Sequence, residues 1–198
     1  MKWFRRSDII GVLVAYAVIL CGVYYVVHVA PAQEAAALKR AIESQATQPQ
    51  TLTAPAHDVK QGLPKRLAIK RLGIDLPVVA TTYNTQNHTW PVFDRAANYA
   101  SNTYAANDSH GVTFIYGHNN TATLGKTTAI RAGDELVLET SANHVFTYVY
   151  ISDEVVGPVD TTALTNLESQ KPLVKLMTCT GVFSQDRRIM LFELKAVQ

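Results

Sequence analysis

The residues best suited to do chemistry in this chain are a thiol, an imidazole and a guanidinium, each at the edge of a stretch with strand character. Cys179 closes the apolar segment 173–178, and His118 follows Phe114, Ile115, Tyr116 and Gly117. Arg187 and Arg188 stand at the head of the apolar segment 189–192. Strand ends border loops, and loops on a rigid scaffold are where sites are built. The three groups together suit acyl transfer. A thiolate attacks a carbonyl, a cation stabilises the developing oxyanion, and histidine protonates the departing amine. Neighbours on a strand point to opposite faces, so only one of the two arginines can face Cys179.

The second cysteine, Cys21, lies within residues 9–27, a run of 19 without a charge or strongly polar group. At about 1.5 Å per helical residue the run reaches roughly 28 Å, enough to cross a hydrocarbon core. A thiol in a bilayer cannot reach one on a water-facing domain, so Cys179 is expected to be unpaired. Lys2, Arg5 and Arg6 precede the run, which by the positive-inside tendency exports the polypeptide beyond it. Ala30-Pro31-Ala32 offers a loose cleavage site, but the run is longer than the roughly 7 to 15 residues of a signal peptide, so a retained anchor is expected. The reading is a cytoplasmic tail at 1–8, a transmembrane anchor at 9–29, a helical extension and linker at 30–62, and a catalytic domain at 63–198.

Three of the 18 basic and one of the 16 acidic side chains fall in the first eight residues, leaving 15 of each. A neutral exported part gives no bulk electrostatic reason to bind nucleic acid. From residue 63 the pattern is one of short strands: 66–72, 77–80, 112–116, 135–140, 145–151, 173–178 and 189–195. A turn is expected at 73–75, and short helices at 121–130 and 161–167. Many short strands with few helices predict a mainly β barrel or sandwich.

With these residues in place, the chain resembles the sortases, the membrane-anchored cysteine transpeptidases of bacterial cell surfaces. Lys175-Leu176-Met177-Thr178-Cys179 matches the family's T-L-x-T-C signature, with lysine in place of the first threonine. Gly117-His118 matches the histidine that follows a strand, and Arg187 or Arg188 the arginine heading the last strand. Residues 67–79 and 155–160 also look like the family, so the likeness covers about residues 63–196. It implies a closed eight-stranded β-barrel, and recognition of an LPxTG-like sorting signal. Cys179 would attack the Thr–Gly carbonyl, and the thioester would pass to an amine of a peptidoglycan precursor or a pilin lysine. Many members place the arginine immediately before the apolar run, which favours Arg188, and Thr178 is a candidate for the oxyanion or substrate pocket alongside Arg187. No cofactor or metal is implied.

Simpler readings exist for each residue. A lone cysteine is usually a small core hydrophobe. His57, His88, His110 and His144 read as loop histidines, with His110 the rival to His118. No CxxC, HxxxH or HExxH spacing supports zinc, and Asp108, Asp134, Glu135 and Glu139 form no regular calcium loop. The alternatives to a sortase are another surface cysteine transpeptidase, whose serine-containing motif before the nucleophile is absent, and an inactive anchored peptide-binding barrel.

Overall fold

The computed structural model describes residues 19–20, 33, 36, 39–40, 58–82, 90–158, 160 and 162–198. The chain divides into two compact units, Met1–Arg40 and Ala41–Gln198. In the first unit Ile19, Leu20, Gln33, Ala36, Lys39 and Arg40 are helical, and the rest of the expected tail and anchor lies outside the described residues. Among the described residues no helix is long and apolar enough to cross a membrane. Most of the expected linker, with His57, and the stretch holding His88 also lie outside them.

The second unit holds ten strands among its described residues: β1 (Gln61–Gly62), β2 (Pro64–Ile69), β3 (Ile74–Thr81), β4 (Ala97–Ala100), β5 (Ala106–Asn107), β6 (Val112–Gly117), β7 (Glu135–Thr140), β8 (Val145–Val156), β9 (Leu173–Thr180) and β10 (Asp186–Val197). Eight of them close a barrel in the order β10-β8-β7-β2-β3-β4-β6-β9, while β1 and β5 form a separate pair. The pairs β3–β4 and β6–β9 are parallel; the other neighbours run antiparallel.

Alternation decides what each strand buries. On β9 Val174, Leu176 and Thr178 are buried, while Leu173, Lys175, Met177 and Cys179 are only partly covered. Val174 and Leu176 join Leu67, Ile115, Met190 and Phe192 in the barrel interior. β6 is buried on both faces. Its Phe114 and Tyr116 pack outside the barrel in a second apolar cluster with Ala100 and Ile189, against which Trp90, Val156 and Met177 lean.

Several elements differ from the sequence reading. The turn after β2 falls at Lys70–Leu72 and Gly73, not 73–75, because Gly73 supplies the left-handed φ of 60° and Ile74 already belongs to β3. β4 and the β1–β5 pair are too short for a period-2 pattern to show. The helix expected at 121–130 is a 3₁₀ turn, Gly125–Ala129, and the one at 161–167 is a single turn, α1 (Thr162–Thr165).

Candidate active site

β6 and β9 run side by side in the same direction, and their last paired residues are Gly117 and Thr178. One step further along each strand come His118 and Cys179. The imidazole and the thiol therefore emerge at the same end of the barrel from adjacent strands. Thr178 is 4 % exposed, and its Oγ1 donates to the Gly117 carbonyl at 3.0 Å, fastening the two strands just before both residues. Cys179 is a free, partly exposed thiol.

The backbone of His118 is fixed from behind. Its carbonyl accepts from Leu124 N at 3.1 Å and from Thr123 Oγ1 at 2.6 Å, while Gly125 N donates to Asn120 O at 2.8 Å. A Cβ on Gly125 would sit 2.5 Å from Asn120 O, so only glycine closes this loop. The ring Nε2 lies 3.2 Å from Asp94 Oδ1, with the two side chains 40 % and 64 % exposed.

Asp94 is a residue that no sequence signal singled out. Its segment is held by Tyr116, whose hydroxyl donates to Pro91 O at 2.8 Å, shares a 2.7 Å bond with Thr81 Oγ1, and whose ring meets Trp90 edge-on at 5.7 Å. Burial pushes the Tyr116 hydroxyl up to about 12, so it stays protonated as a donor. Phe93 N donates to Asn98 Oδ1 at 3.4 Å, and Asn98 Nδ2 donates to the Tyr116 carbonyl at 3.2 Å.

The register of β10 against β9 separates the two arginines. Arg187 is paired with Cys179 and Arg188 with Thr178. Residues opposite one another in an antiparallel pair share a face. Arg187 thus lies on the outer face with Cys179, Met177 and Ile189, and Arg188 on the inner face with Thr178 and Met190. The expectation that Arg188 faces Cys179 is not met, because the last strand starts three residues earlier than its apolar run suggests, and its register sets Arg187 opposite Cys179. Arg188 Nε instead donates to Asp153 Oδ2 at 2.7 Å, and Nη1 to the Thr127 carbonyl at 3.1 Å. Arg187 Nη1 donates to the carbonyls of Ser184 and Asp186, both at 3.1 Å. Thr178, expected near the oxyanion, is turned inward with its donor committed to Gly117.

The remaining candidates fall elsewhere. His110 precedes β6 and so sits at the opposite end of that six-residue strand from His118, roughly 20 Å away at about 3.3 Å per residue. Its Nδ1 shares a bond with Ser109 Oγ at 2.9 Å, and its ring meets Tyr104 edge-on. Asp134, Glu135 and Glu139 are engaged by Arg71, Lys195 and Arg66.

The outer rim of the barrel therefore brings a free thiol, an imidazole with a carboxylate beside it, and a guanidinium to one face, next to an apolar floor of Met177, Ile189 and Val156. Solved structures with the same fold include sortase E1 of Streptomyces coelicolor with a tripeptide in the active site, at 22 % identity and TM-score 0.56, covering 70 % of this chain and 90 % of that one. Sortase A of Listeria monocytogenes is similar at 18 % identity and TM-score 0.53, with the same coverage of 70 % and 90 %. Sortase C-3 of Streptococcus pneumoniae is similar at 18 % identity and TM-score 0.55, covering 83 % of this chain and 81 % of that one. No curated protein sequence matches. The family described as the sortase domain matches residues 67–194, which run from β2 through β10 and include His118, Cys179 and both arginines. By that match over most of its length, the chain belongs to the sortase family.

Proposed function

We propose that this sortase cleaves an LPxTG-like sorting signal and transfers the freed acyl group to an amine, with Cys179 as nucleophile, His118 as general acid and base, and Arg187 as the oxyanion cation. The Cys179 thiolate attacks the Thr–Gly carbonyl carbon. The resulting oxyanion is stabilised by the Arg187 guanidinium. His118 gives a proton to the departing glycine nitrogen, the C–N bond breaks, and a thioester to Cys179 remains. An amine of a peptidoglycan precursor or a pilin lysine then attacks the thioester, loses its proton to His118, and releases the thiolate.

The observation that carries this reading is the register at the rim. Two independent ladders, β6–β9 and β9–β10, bring His118 and Arg187 alongside Cys179. The acceptor and the location are part of the same proposal: residues 9–29 anchor the chain as a single-pass type II protein, and residues 63–198 work outside the cell. The test incubates the full chain in detergent with a fluorogenic LPxTG peptide and a glycine-based or lysine-based amine. Ligated product should form and disappear in Cys179→Ala. A thioester at Cys179 should be captured by mass spectrometry when the amine is withheld. Rapid labelling of Cys179 without any cleavage across a peptide library would favour the inactive peptide-binding barrel instead.

A further inference from the structure

Two arginines open β10, and the acyl transfer at Cys179 uses one. We propose that Arg188 is a positioning residue that locks the 3₁₀ turn behind His118 and so holds the imidazole in register with Cys179; this rests on the assignment of Cys179, His118 and Arg187 to the reaction. Arg188 joins three elements. Its Nε reaches Asp153 Oδ2 on β8 at 2.7 Å, and its Nη1 reaches the Thr127 carbonyl in the 125–129 turn at 3.1 Å. The Tyr150 hydroxyl donates to the other Asp153 oxygen. Asp153 sits two residues from Val155, the β8 partner of Arg188, so carboxylate and guanidinium meet diagonally on one face.

The group is sheltered, with the Arg188 and Asp153 side chains 18 % and 27 % exposed. Charge-assisted bonds in such surroundings are directional and strong. The Arg188 guanidinium, with help from Tyr150, keeps the Asp153 carboxyl below the usual carboxylate range, so the pair is charged at neutral pH.

From Thr127 the connection to His118 is continuous. Thr127 N and Oγ1 both donate to the Leu124 carbonyl, at 2.9 and 2.6 Å, and Leu124 N donates to the His118 carbonyl at 3.1 Å. Leu124 is fully buried beneath Gly117, where an added Cβ would come within 3.1 Å of its Cδ1. A turn released by Arg188 therefore carries the His118 backbone with it. A displacement of about 1 Å at a catalytic group can cost ~10²-fold in rate without weakening substrate binding.

The experiment uses the full chain with Arg188→Met, Asp153→Asn, the double variant, and Arg187→Ala. Peptide cleavage gives kcat and KM, and hydrogen exchange read by mass spectrometry follows residues 118–130. Arg188→Met should lower kcat by about 10-fold with KM nearly unchanged, and speed exchange in the segment spanning Leu124 and Thr127. Asp153→Asn should reproduce most of both effects, and the double variant should be no worse than Arg188→Met alone. Asp153→Asn also carries the test should Arg188→Met fold poorly. Unchanged kcat and unchanged exchange in Asp153→Asn and Arg188→Met would overturn the clamp while leaving the function intact. Abolished cleavage in Arg188→Met with unchanged exchange, beside an active Arg187→Ala, would make Arg188 the oxyanion cation and overturn both. If no peptide is cleaved by the parent protein, the functional reading fails, and faster exchange at 124–127 still decides whether the clamp exists.

Discussion

Arg187 and Cys179 stand directly opposite each other on β10 and β9. The turn between them is unusual. Gly181 has φ 80°, and Phe183 and Ser184 hold φ 57° and 58°, a region that costs most residues energy. Phe183 is 91 % exposed, so no packing of its own side chain rewards that conformation. What the turn accomplishes is the pairing: it lets β9 run through Cys179 and β10 begin at Asp186, so that Cys179 and Arg187 stand opposite each other on one rung. Backbone strain at a site of chemistry is commonly tolerated for such placement.

The first prediction concerns that rung. Arg187→Ala should lower kcat by ~10²–10³, the cost of about 2.7–4 kcal/mol for losing one oxyanion partner. Arg187→Lys keeps the charge but not the planar fork and should fall between. Thermal unfolding should barely move, since the carbonyls that Arg187 caps at Ser184 and Asp186 sit in a turn open to water. Steady-state kinetics with an LPxTG peptide measures the first effect and calorimetry the second. An Arg187→Ala enzyme with parental kcat would exclude it from the chemistry.

Asp94 supplies the second. It meets Nε2 of His118 at 3.2 Å, but both side chains are well exposed, and ion pairs in water are worth little. Its value lies in orienting the ring. Asp94→Asn should lower kcat about 3- to 10-fold while KM stays put, and Asp94→Glu should recover most of the loss. A KM effect without a kcat effect would mean that Asp94 touches substrate instead.

The sequence made the thiol and the imidazole legible because each ends a strand long enough to show its pattern. β9 and β6 are apolar runs that stop abruptly at Cys179 and Gly117-His118. The arginine was harder to place. Asp186, Arg187 and Arg188 are polar, so the apolar pattern starts at Ile189, although the ladder starts at Asp186. Only register shows which guanidinium shares the face of Cys179, and register depends on the turn at 181–185. Asp94 was invisible because its link to His118 runs through Pro91, Tyr116 and Asn98, contacts between segments far apart in the chain. Thr178 was read by its adjacency to Cys179, whereas alternation turns it to the other side of the strand.

Asp134 gives a prediction in pH. It is buried, and the Arg71 guanidinium together with the Arg131 amide holds its carboxyl below the usual range against the opposing effect of burial. A value depressed in the folded state stabilises fully above the unfolded value of about 3.9 and is lost as pH falls through the folded one. Asp134→Asn should therefore melt several degrees lower than the parent at pH 7, and the gap should close as the pH drops below about 4. Asp75→Asn serves as the control: its pair with Arg66 is about half exposed, so its removal should shift the melting temperature little. A constant gap between Asp134→Asn and the parent from pH 7 to pH 2 would show that the charge is not the source.

Thr178 separates a structural role from a chemical one. Its hydroxyl is buried, and the 3.0 Å bond to the Gly117 carbonyl ties the strand of the thiol to the strand of the imidazole. Thr178→Val keeps the shape but leaves a buried carbonyl without that donor, at a cost of about 1–3 kcal/mol. Because the bond lies one residue before both His118 and Cys179, stability and kcat should fall together, and Thr178→Ser should retain both. Should Thr178→Val keep its melting temperature and lose only kcat, the hydroxyl would instead be acting on the substrate, and the inward orientation of this side chain would have to change during turnover.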